Sequence, residues 1–425
     1  MEISVIKVFP KVFLSNKPQK VYIKLNECDI NNDLLELKIQ PMEKYSIPHT
    51  EIYRIDEEER YAYKTPENCG ENTFSLQYDF SSEQCYTLKV RYDGKIILNT
   101  HIYSVDEDLS KLKPFKGDLH VHTCRSDGEG TPFEVSLNYR AAGYDFLAVT
   151  DHHKFSPSLE AREQISALTN EFFVFTGEEV HNRDMGYFHI INFNGNSSVN
   201  DIIENNPEYV EAEIQKILSS CNFEGVTDKK CAAFRIFVAN EIKKAGGVAI
   251  MAHPFWEAYG EYNMEADDFI YHWKNGHFDA LEVIAGCDNY GNGNNLQEML
   301  RTDLLEQGYK IPVVGSSDSH STTKTGWCQF FNIQFTIAFA KDFEDIPNAV
   351  KQEKCVAVER KDDRYFRAVG KYRYAKYARF LMSEYFTRYQ RLTSAHSEAL
   401  YSKDKQAIKE TEKAIADFKQ QFFAF

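Results

Sequence analysis

The chain has 425 residues, 43% hydrophobic and 27% charged, ordinary for a globular protein and too long for one typical core, so two or three domains are expected. A formal net charge of −15 argues against a general binder of nucleic acid or of anionic membranes, although a bound cation can reverse the sign at a site. Nine cysteines without a Cys-x-x-Cys pair speak against a disulfide framework or zinc ribbon, and no run reaches membrane-spanning length, so a reducing, cytoplasmic setting is the expectation.

Residues 1–108 are predicted to be β structure. VYIKL (21–25), TFSLQYDF (73–80), CYTLKVRY (85–92) and KIILNTHIYSV (95–105) alternate or are rich in β-branched and aromatic residues. Asp93-Gly94 marks a hairpin turn, because glycine readily takes the positive φ that a tight turn needs. Short strands with polar connections suggest a small antiparallel β-sandwich, serving packing or oligomerisation. Asp106-Glu107-Asp108, followed by Lys111 and Pro114, reads as a linker.

From Phe115 to about Arg360 short apolar runs alternate with helical segments, the signature of βα units in an α/β domain. The predicted strands are GDLHV (117–121), DFLAV (145–149), FFVFT (172–176), YFHIINF (187–193), GVAIMA (247–252), ALEVIA (280–285) and IPVVG (311–315). Thr131-Pro132 opens a helix that Gly143 ends, and RIFVANEIKKAGG (235–247) and NNLQEMLRTDLLEQG (294–308) also end in glycine. Seven strands suffice for a β/α barrel, and the polar stretch from Asn194 to about Phe234 is an excursion with its own helix over 208–220. Residues 361–425 form a C-terminal helical extension. There Tyr374, Tyr377, Ala378, Leu381, Tyr385, Leu392 and Ala395 make one apolar stripe, and a second helix carries Ile408, Ile415, Phe418 and Phe422.

The chemistry gathers at strand ends. KGDLHVHTCRSDGEG (116–130) holds His120, His122 and Asp127; His-x-His places two imidazoles on one side of a strand, where they and a carboxylate suit a divalent transition metal. Thr150-Asp151-His152-His153 follows the second strand, Gly177-Glu178-Glu179 the third, His253-Pro254 the fifth and Ser316-Ser317-Asp318-Ser319-His320 the seventh, while His189 lies in the fourth. In a β/α barrel these ends meet on one face, where such barrels keep their active sites.

HVHTCRSDG, VTDHH, GEEV, HIINF, AHPF and GSSDSH stand in the order found in the polymerase and histidinol phosphatase (PHP) superfamily, which the chain resembles over about Phe115 to Arg360. The resemblance implies a distorted seven-stranded β/α barrel with two or three divalent ions, zinc, manganese or iron. It implies His120 and His122 on one ion with Asp318 and a bridging Glu179, His189 and His253 on a second with that glutamate, and Asp127, His152 and His320 on a third. Glu179 is preferred to Glu178, which would point to the opposite strand face. His153 is read as a neighbour, and Asp151 as a loop cap or an orienter of an imidazole. His181, His272 and His277 fall outside the matched pieces and are read as surface or packing residues, Glu282 as a buried support or a structural residue, and Cys124 as an outside candidate for zinc.

Such a cluster suits hydrolysis of a phosphate ester, with metal-activated hydroxide attacking phosphorus in line. His120, His122, Glu179, His253 and His320 are expected to carry the reaction. Arg183 first, then Lys154, Arg125 and Lys324, are the cations placed to clamp a phosphate. The expected partner is a small phosphorylated metabolite or nucleotide, with neither nucleic acid nor membrane involved and the oligomeric state open. Two other readings stand beside this one: an amidohydrolase-like metal hydrolase, and a non-catalytic metal-binding scaffold.

Overall fold

The computed structural model describes residues 3–26, 30–43, 62–182, 188–258, 260–286, 292–323, 331–360 and 366–425. Its contacts divide the chain into two compact units. The first comprises 1–112 with 379–389 and 413–425, and the second 113–378 with 390–412, so the C-terminal helices contribute to both. Among the described residues no helix is long and apolar enough to cross a membrane.

In the first unit the described strands are β1 (Val5–Phe9), β2 (Val12–Leu14), β3 (Lys17–Leu25), β4 (Leu35–Pro41), β5 (Glu67–Gly70), β6 (Thr73–Phe80), β7 (Gln84–Tyr92) and β8 (Lys95–Val105). They form two four-stranded sheets, ordered β1-β3-β6-β5 and β2-β8-β7-β4. The period-two pattern does what it should. Val21, Ile23 and Leu25 of β3 and Leu35, Leu37 and Ile39 of β4 turn to one shared core, with polar neighbours facing out. Asp93 and Gly94 both have positive φ, 48° and 74°, as the tight β7–β8 hairpin requires. Lys11 is buried here, its Nζ 2.7 Å from Thr100 Oγ1 and 2.8 Å from Glu384 Oε2.

The second unit is mixed α/β. Its described strands are β9 (Lys113–Val121), β10 (Phe146–Val149), β11 (Phe173–Phe175), β12 (Gly177–Val180), β13 (Ile190–Phe193), β14 (Val248–Met251), β15 (Glu257–Ala258), β16 (Glu261–Tyr262), β17 (Ala280–Ala285), β18 (Val313–Ser316), β19 (Gln334–Ala340), β20 (Cys355–Arg360) and β21 (Phe366–Gly370). Six pair in the order β11-β10-β9-β19-β20-β21, five in the order β12-β13-β14-β17-β18, and β15 with β16 makes a small hairpin. Each segment of this unit predicted as a strand contains one, with unchanged ends at 280–285 and shifted ends in the others.

Strand directions depart from a purely parallel βα series. β9–β10–β11 and β14–β17–β18 are parallel, but β13 is antiparallel to both β12 and β14, and β19 to β9. The link from Val180 to Ile190 is shorter than the dozen or so residues a parallel crossover needs, so β12 and β13 pair as a hairpin. The strand read over 187–193 begins only at Ile190 among the described residues, which leaves His189 just ahead of it.

Alternation also explains why these strands read as continuous apolar runs. Phe146, Ile191, Phe193, Ile250 and Ala338 enter a core shared by the two sheets. Ile190, Ala249, Met251, Leu281 and Val283 face the other way, toward the helices Pro207–Ser220, Lys229–Lys244 and Ala266–Lys274. The sheets meet at two seams, through isolated parallel bridges between His152 and Glu179 and between Val121 and Ser319. β18 approaches β19 closely, because a Cβ on Gly315 would lie 2.7 Å from the Phe335 carbonyl oxygen.

The helix Pro132–Ala141 starts with a capping box, Thr131 accepting from the Glu134 amide and Glu134 accepting from the Thr131 amide. At the C-terminus the apolar stripe holds for Tyr377, Ala378, Leu381 and Tyr385 and then shifts. A π-helical turn over Met382–Phe386 inserts extra backbone, so beyond it Tyr389, Thr393, His396 and Leu400 are buried, while Leu392 is only partly covered and Ala395 is exposed.

Candidate metal centre

β9 carries Asp118 and His120 on one face, with His122 just past its end, and all three are buried. The loop after β10 brings His152 to Glu179 of β12, and the turn after β14 brings His253. Because β13 runs antiparallel, its beginning lies where its neighbours end, which delivers His189. The segment after β18 supplies Asp318 and His320.

Glu179 is the hub. Its Oε2 lies 3.2 Å from His120 Nε2, 3.3 Å from His122 Nε2 and 2.8 Å from His152 Nδ1. Its Oε1 lies 2.6 Å from His189 Nδ1 and 3.5 Å from His253 Nε2. Asp318 Oδ1 is 3.2 Å from His120 Nε2 and 3.0 Å from His122 Nε2. Asp127, the most exposed member, is 3.4 Å from His320 and 3.6 Å from His152. The structure thus brings together the nine residues singled out as ligands. Their donor atoms fall into overlapping groups: His120, His122, Glu179 and Asp318; Glu179, His189 and His253; His122, Asp127, His152 and His320; and His120, His253 and Glu282.

Whether these side chains fit a metal can be judged from their own bonding. Glu179 is fully buried, yet neither carboxylate oxygen has a hydrogen bond of good geometry among the described residues, and the same holds for His120 Nε2, His122 Nδ1 and His253 Nδ1. Buried polar atoms are nearly always paired, so converging lone pairs of this kind fit divalent cations. The electrostatics agree. Burial works to lower the His120 and His122 imidazoles, but Asp318 and Glu179 overcome it, holding His120 well above its ordinary value and pushing His122 up to about 10. Against the same desolvation, His189, His120 and His152 hold Glu179 far below the carboxylate range. His189 goes the other way, lowered by burial against the pull of Glu179.

A surrounding layer fixes the ligands. Glu282 Oε1 sits 3.1 Å from His120 Nδ1, and its Oε2 accepts from the His253 amide at 3.0 Å, so the residue read as an ambiguous buried glutamate orients two ligands. Asp151 accepts from the Thr123 amide and hydroxyl at 2.9 and 2.7 Å and from the Ser126 amide at 3.0 Å, bracing the loop between His122 and Asp127. Asp118, which sequence reasoning passed over, accepts from the His120 amide and the Tyr139 hydroxyl at 3.2 Å each and from the Ser317 amide at 3.1 Å; burial pushes its carboxyl up to about 7. Its period-two spacing ahead of His120 and His122 was the available signal. Glu178 points away and accepts from Asn192, Ser198, Asn200 and the Val199 amide. Two ligands have backbone in the sparsely used positive-φ region, His253 at 25° and Asp318 at 49°, where packing must hold them.

His181, read as a surface or packing residue, is buried and packs against the ligand candidates. Its ring centroid lies 4.7 Å from that of His189 and 4.8 Å from that of His152, and burial followed by the nearby His189 lowers it to about 3. His153 and Cys124 belong to none of the ligand groups. His272 and His277 lie outside these groups too, paired with each other. Of the cations read as phosphate clamps, Arg125 forms a two-point ion pair with Glu160 at 2.9 and 3.0 Å, and Lys154 donates to the Arg125 carbonyl. Arg183 and Lys324 lie outside the described residues.

No family model matches the chain. It is 30% identical over 98 residues to the DNA polymerase/3'-5' exonuclease PolX of Bacillus subtilis, a match covering 22% of this chain and 17% of the polymerase. A two-domain Bacteroides vulgatus protein containing a predicted PHP-like metal-dependent phosphoesterase is 18% identical, with a TM-score of 0.39 over 58% of this chain and 65% of that one. A Bifidobacterium adolescentis protein described as a candidate metal-dependent phosphoesterase is 19% identical, with a TM-score of 0.36 over 49% of this chain and 89% of that one. In the residues and order of its motifs the chain resembles the PHP superfamily.

Proposed function

We propose that the chain is a metal-dependent phosphoesterase acting on a small phosphorylated metabolite or nucleotide. In this reading the two sheets of the second unit are halves of a distorted (β/α)7 PHP-type barrel, and the N-terminal sheets are a small β-sandwich. The observation that carries the proposal is Glu179, one buried carboxylate contacted by five imidazoles and shared between adjacent ligand groups. His120, His122, Glu179 and Asp318 would hold one ion, Glu179, His189 and His253 a second, and Asp127, His152 and His320 a third.

Divalent zinc, manganese or iron bound there would supply Lewis acidity, bringing the pKa of a water toward neutrality and offsetting charge on the phosphoryl oxygens. The protein does the rest by placement. Glu282 accepts the Nδ1 proton of His120 and so keeps the Nε2 lone pair turned to Glu179 and Asp318. The Asp318 carbonyl, 2.9 Å from His320 Nδ1, does the same for His320, leaving Nε2 toward Asp127. Asp127 and His152 are the ligands with most exposure, so substrate reaches the nest on their side. The five expected catalytic residues, His120, His122, Glu179, His253 and His320, would act through the ions they hold, which in turn would meet the phosphoryl group.

The test is elemental analysis of the purified chain, followed by hydrolysis of p-nitrophenyl phosphate and its bis-ester with Mn²⁺ or Zn²⁺. Bound metal is expected, with turnover that falls at least about 1,000-fold in His122→Ala and Glu179→Gln. Metal uptake without turnover on a broad phosphate panel would favour a scaffold, and turnover confined to amides would favour the amidohydrolase reading.

A further inference from the structure

Trp256 lies three residues past His253, in a turn closed by its own amide donating to the His253 carbonyl at 3.0 Å. The turn is fixed on both flanks. Phe255 is buried against Phe269, their centroids 5.8 Å apart, and the Trp256 carbonyl accepts from the Asn263 amide at 3.0 Å across the β15–β16 hairpin. The indole is therefore held in place, yet it is only half-buried.

What it covers is specific. The indole centroid is 5.6 Å from the His253 ring, nearly perpendicular at 76°, and 5.9 Å from the His189 ring, tilted at 39°. These two imidazoles are the ones that reach Glu179 Oε1. On the other flank of His189 lies His181, whose ring is in turn 4.1 Å from that of His153. The described cations first read as clamps are engaged elsewhere, Arg125 with Glu160 and Lys154 with a carbonyl. Beside His189 and His253, then, the described residues present ring surface.

We propose that Trp256 is the leaving-group platform of this site and selects phosphate esters whose alcohol carries a planar π-system, as in a nucleoside. The proposal rests on the phosphoesterase reading. With the phosphate at the ions, the ester substituent extends over the solvent-facing surface that adjoins the ligands, and beside His189 and His253 the described residues place a half-buried indole there. A base stacking on such a face gains on the order of tenfold or more in binding, with little dependence on which base it is.

Adenosine 5'-monophosphate and ribose 5-phosphate test this, since they share the same primary leaving oxygen and differ in the base. The wild-type chain is expected to favour the nucleotide at least about tenfold in kcat/KM, mostly through KM. Trp256→Ala is expected to bring the ratio toward one by raising KM for the nucleotide, while Trp256→Phe keeps most of it. Equilibrium dialysis of adenosine against the Mn²⁺-loaded protein, with metal content checked for each variant, gives a readout independent of turnover; about tenfold weaker binding is expected for Trp256→Ala. Absence of a nucleotide preference in the wild type, or an equal loss on both substrates in Trp256→Ala, overturns the platform. If neither ester is cleaved, the phosphoesterase reading is decided by the broad phosphate panel and the platform by dialysis: adenosine binding that is absent, or equal in wild type and Trp256→Ala, overturns the platform.

Discussion

Glu178 and Glu179 are adjacent, both fully buried, and face opposite ways from one short strand. Glu178 gathers hydrogen bonds at the start of the helix Val199–Asn205, whereas Glu179 gathers imidazoles. At this scale Glu282 is the informative neighbour, because it sets the orientation of His120 and grips the backbone of His253 without belonging to the expected ligand set. Glu282→Ala is expected to weaken metal binding about 10- to 100-fold, read by competition against a chromophoric chelator; unchanged affinity would show that Glu282 is merely structural. The nine expected ligands were legible because their residue types recur at strand ends in a fixed order. Asp118 was passed over and Glu282 left open between a support and a structural residue, since a carboxylate inside an apolar run does not reveal which side of the strand holds the site; His181 and Trp256 lie past strand ends, outside the matched motifs.

Whole elements were legible where period and caps agreed, as in the capping-box helix Pro132–Ala141 and the β7–β8 hairpin. Two features escaped. Strand direction depends on link length and pairing partner, which is why β13 presents its first end to the ligands. The register of the C-terminal helix depends on a π-turn, which leaves no mark on a count of threes and fours. That turn holds Glu384, the partner of the buried Lys11, and burial lowers the lysine against the pull of this carboxylate. Glu384→Ala removes the one carboxylate in this pairing, with Thr100 and the His101 carbonyl left as acceptors. A loss of about 3 kcal/mol is expected in urea unfolding at neutral pH, and a change within about 0.5 kcal/mol would mean that the lysine adapts by losing its proton.

For the whole molecule, acid response is the property most directly readable. His272 and His277 meet Nδ1 to Nδ1 at 3.0 Å, an arrangement that allows only one of the two nitrogens a proton. Burial, then Arg235 and His277, keeps His272 far below its ordinary value, and burial followed by Lys243 brings His277 down to about 4. The surroundings add no relief: Lys243 donates to the His277 carbonyl at 2.6 Å and faces Asp279, Arg235 is paired with Asp268, and the Tyr271 ring lies 5.4 Å away. Because the unfolded chain takes up this proton near pH 6.5 and the folded chain only near 4, the contribution of His277 is complete above about 6.5, declines as pH falls toward 4, and is level below that. His277→Gln is therefore expected to lose less stability than the wild type between pH 7 and 4.5, measured by denaturant midpoint; parallel losses would remove the pair from the account.

The two bridged seams of the second unit carry one more implication. Backbone ladders stop there, and the join is continued by His152 with Glu179 on one side and by the segment preceding His320 on the other. Cohesion and chemistry consequently draw on the same few residues, the first through their backbone and the second through their side chains. A side chain at this rim can therefore be exchanged to retune reactivity while the main-chain join beneath it keeps its hydrogen bonds.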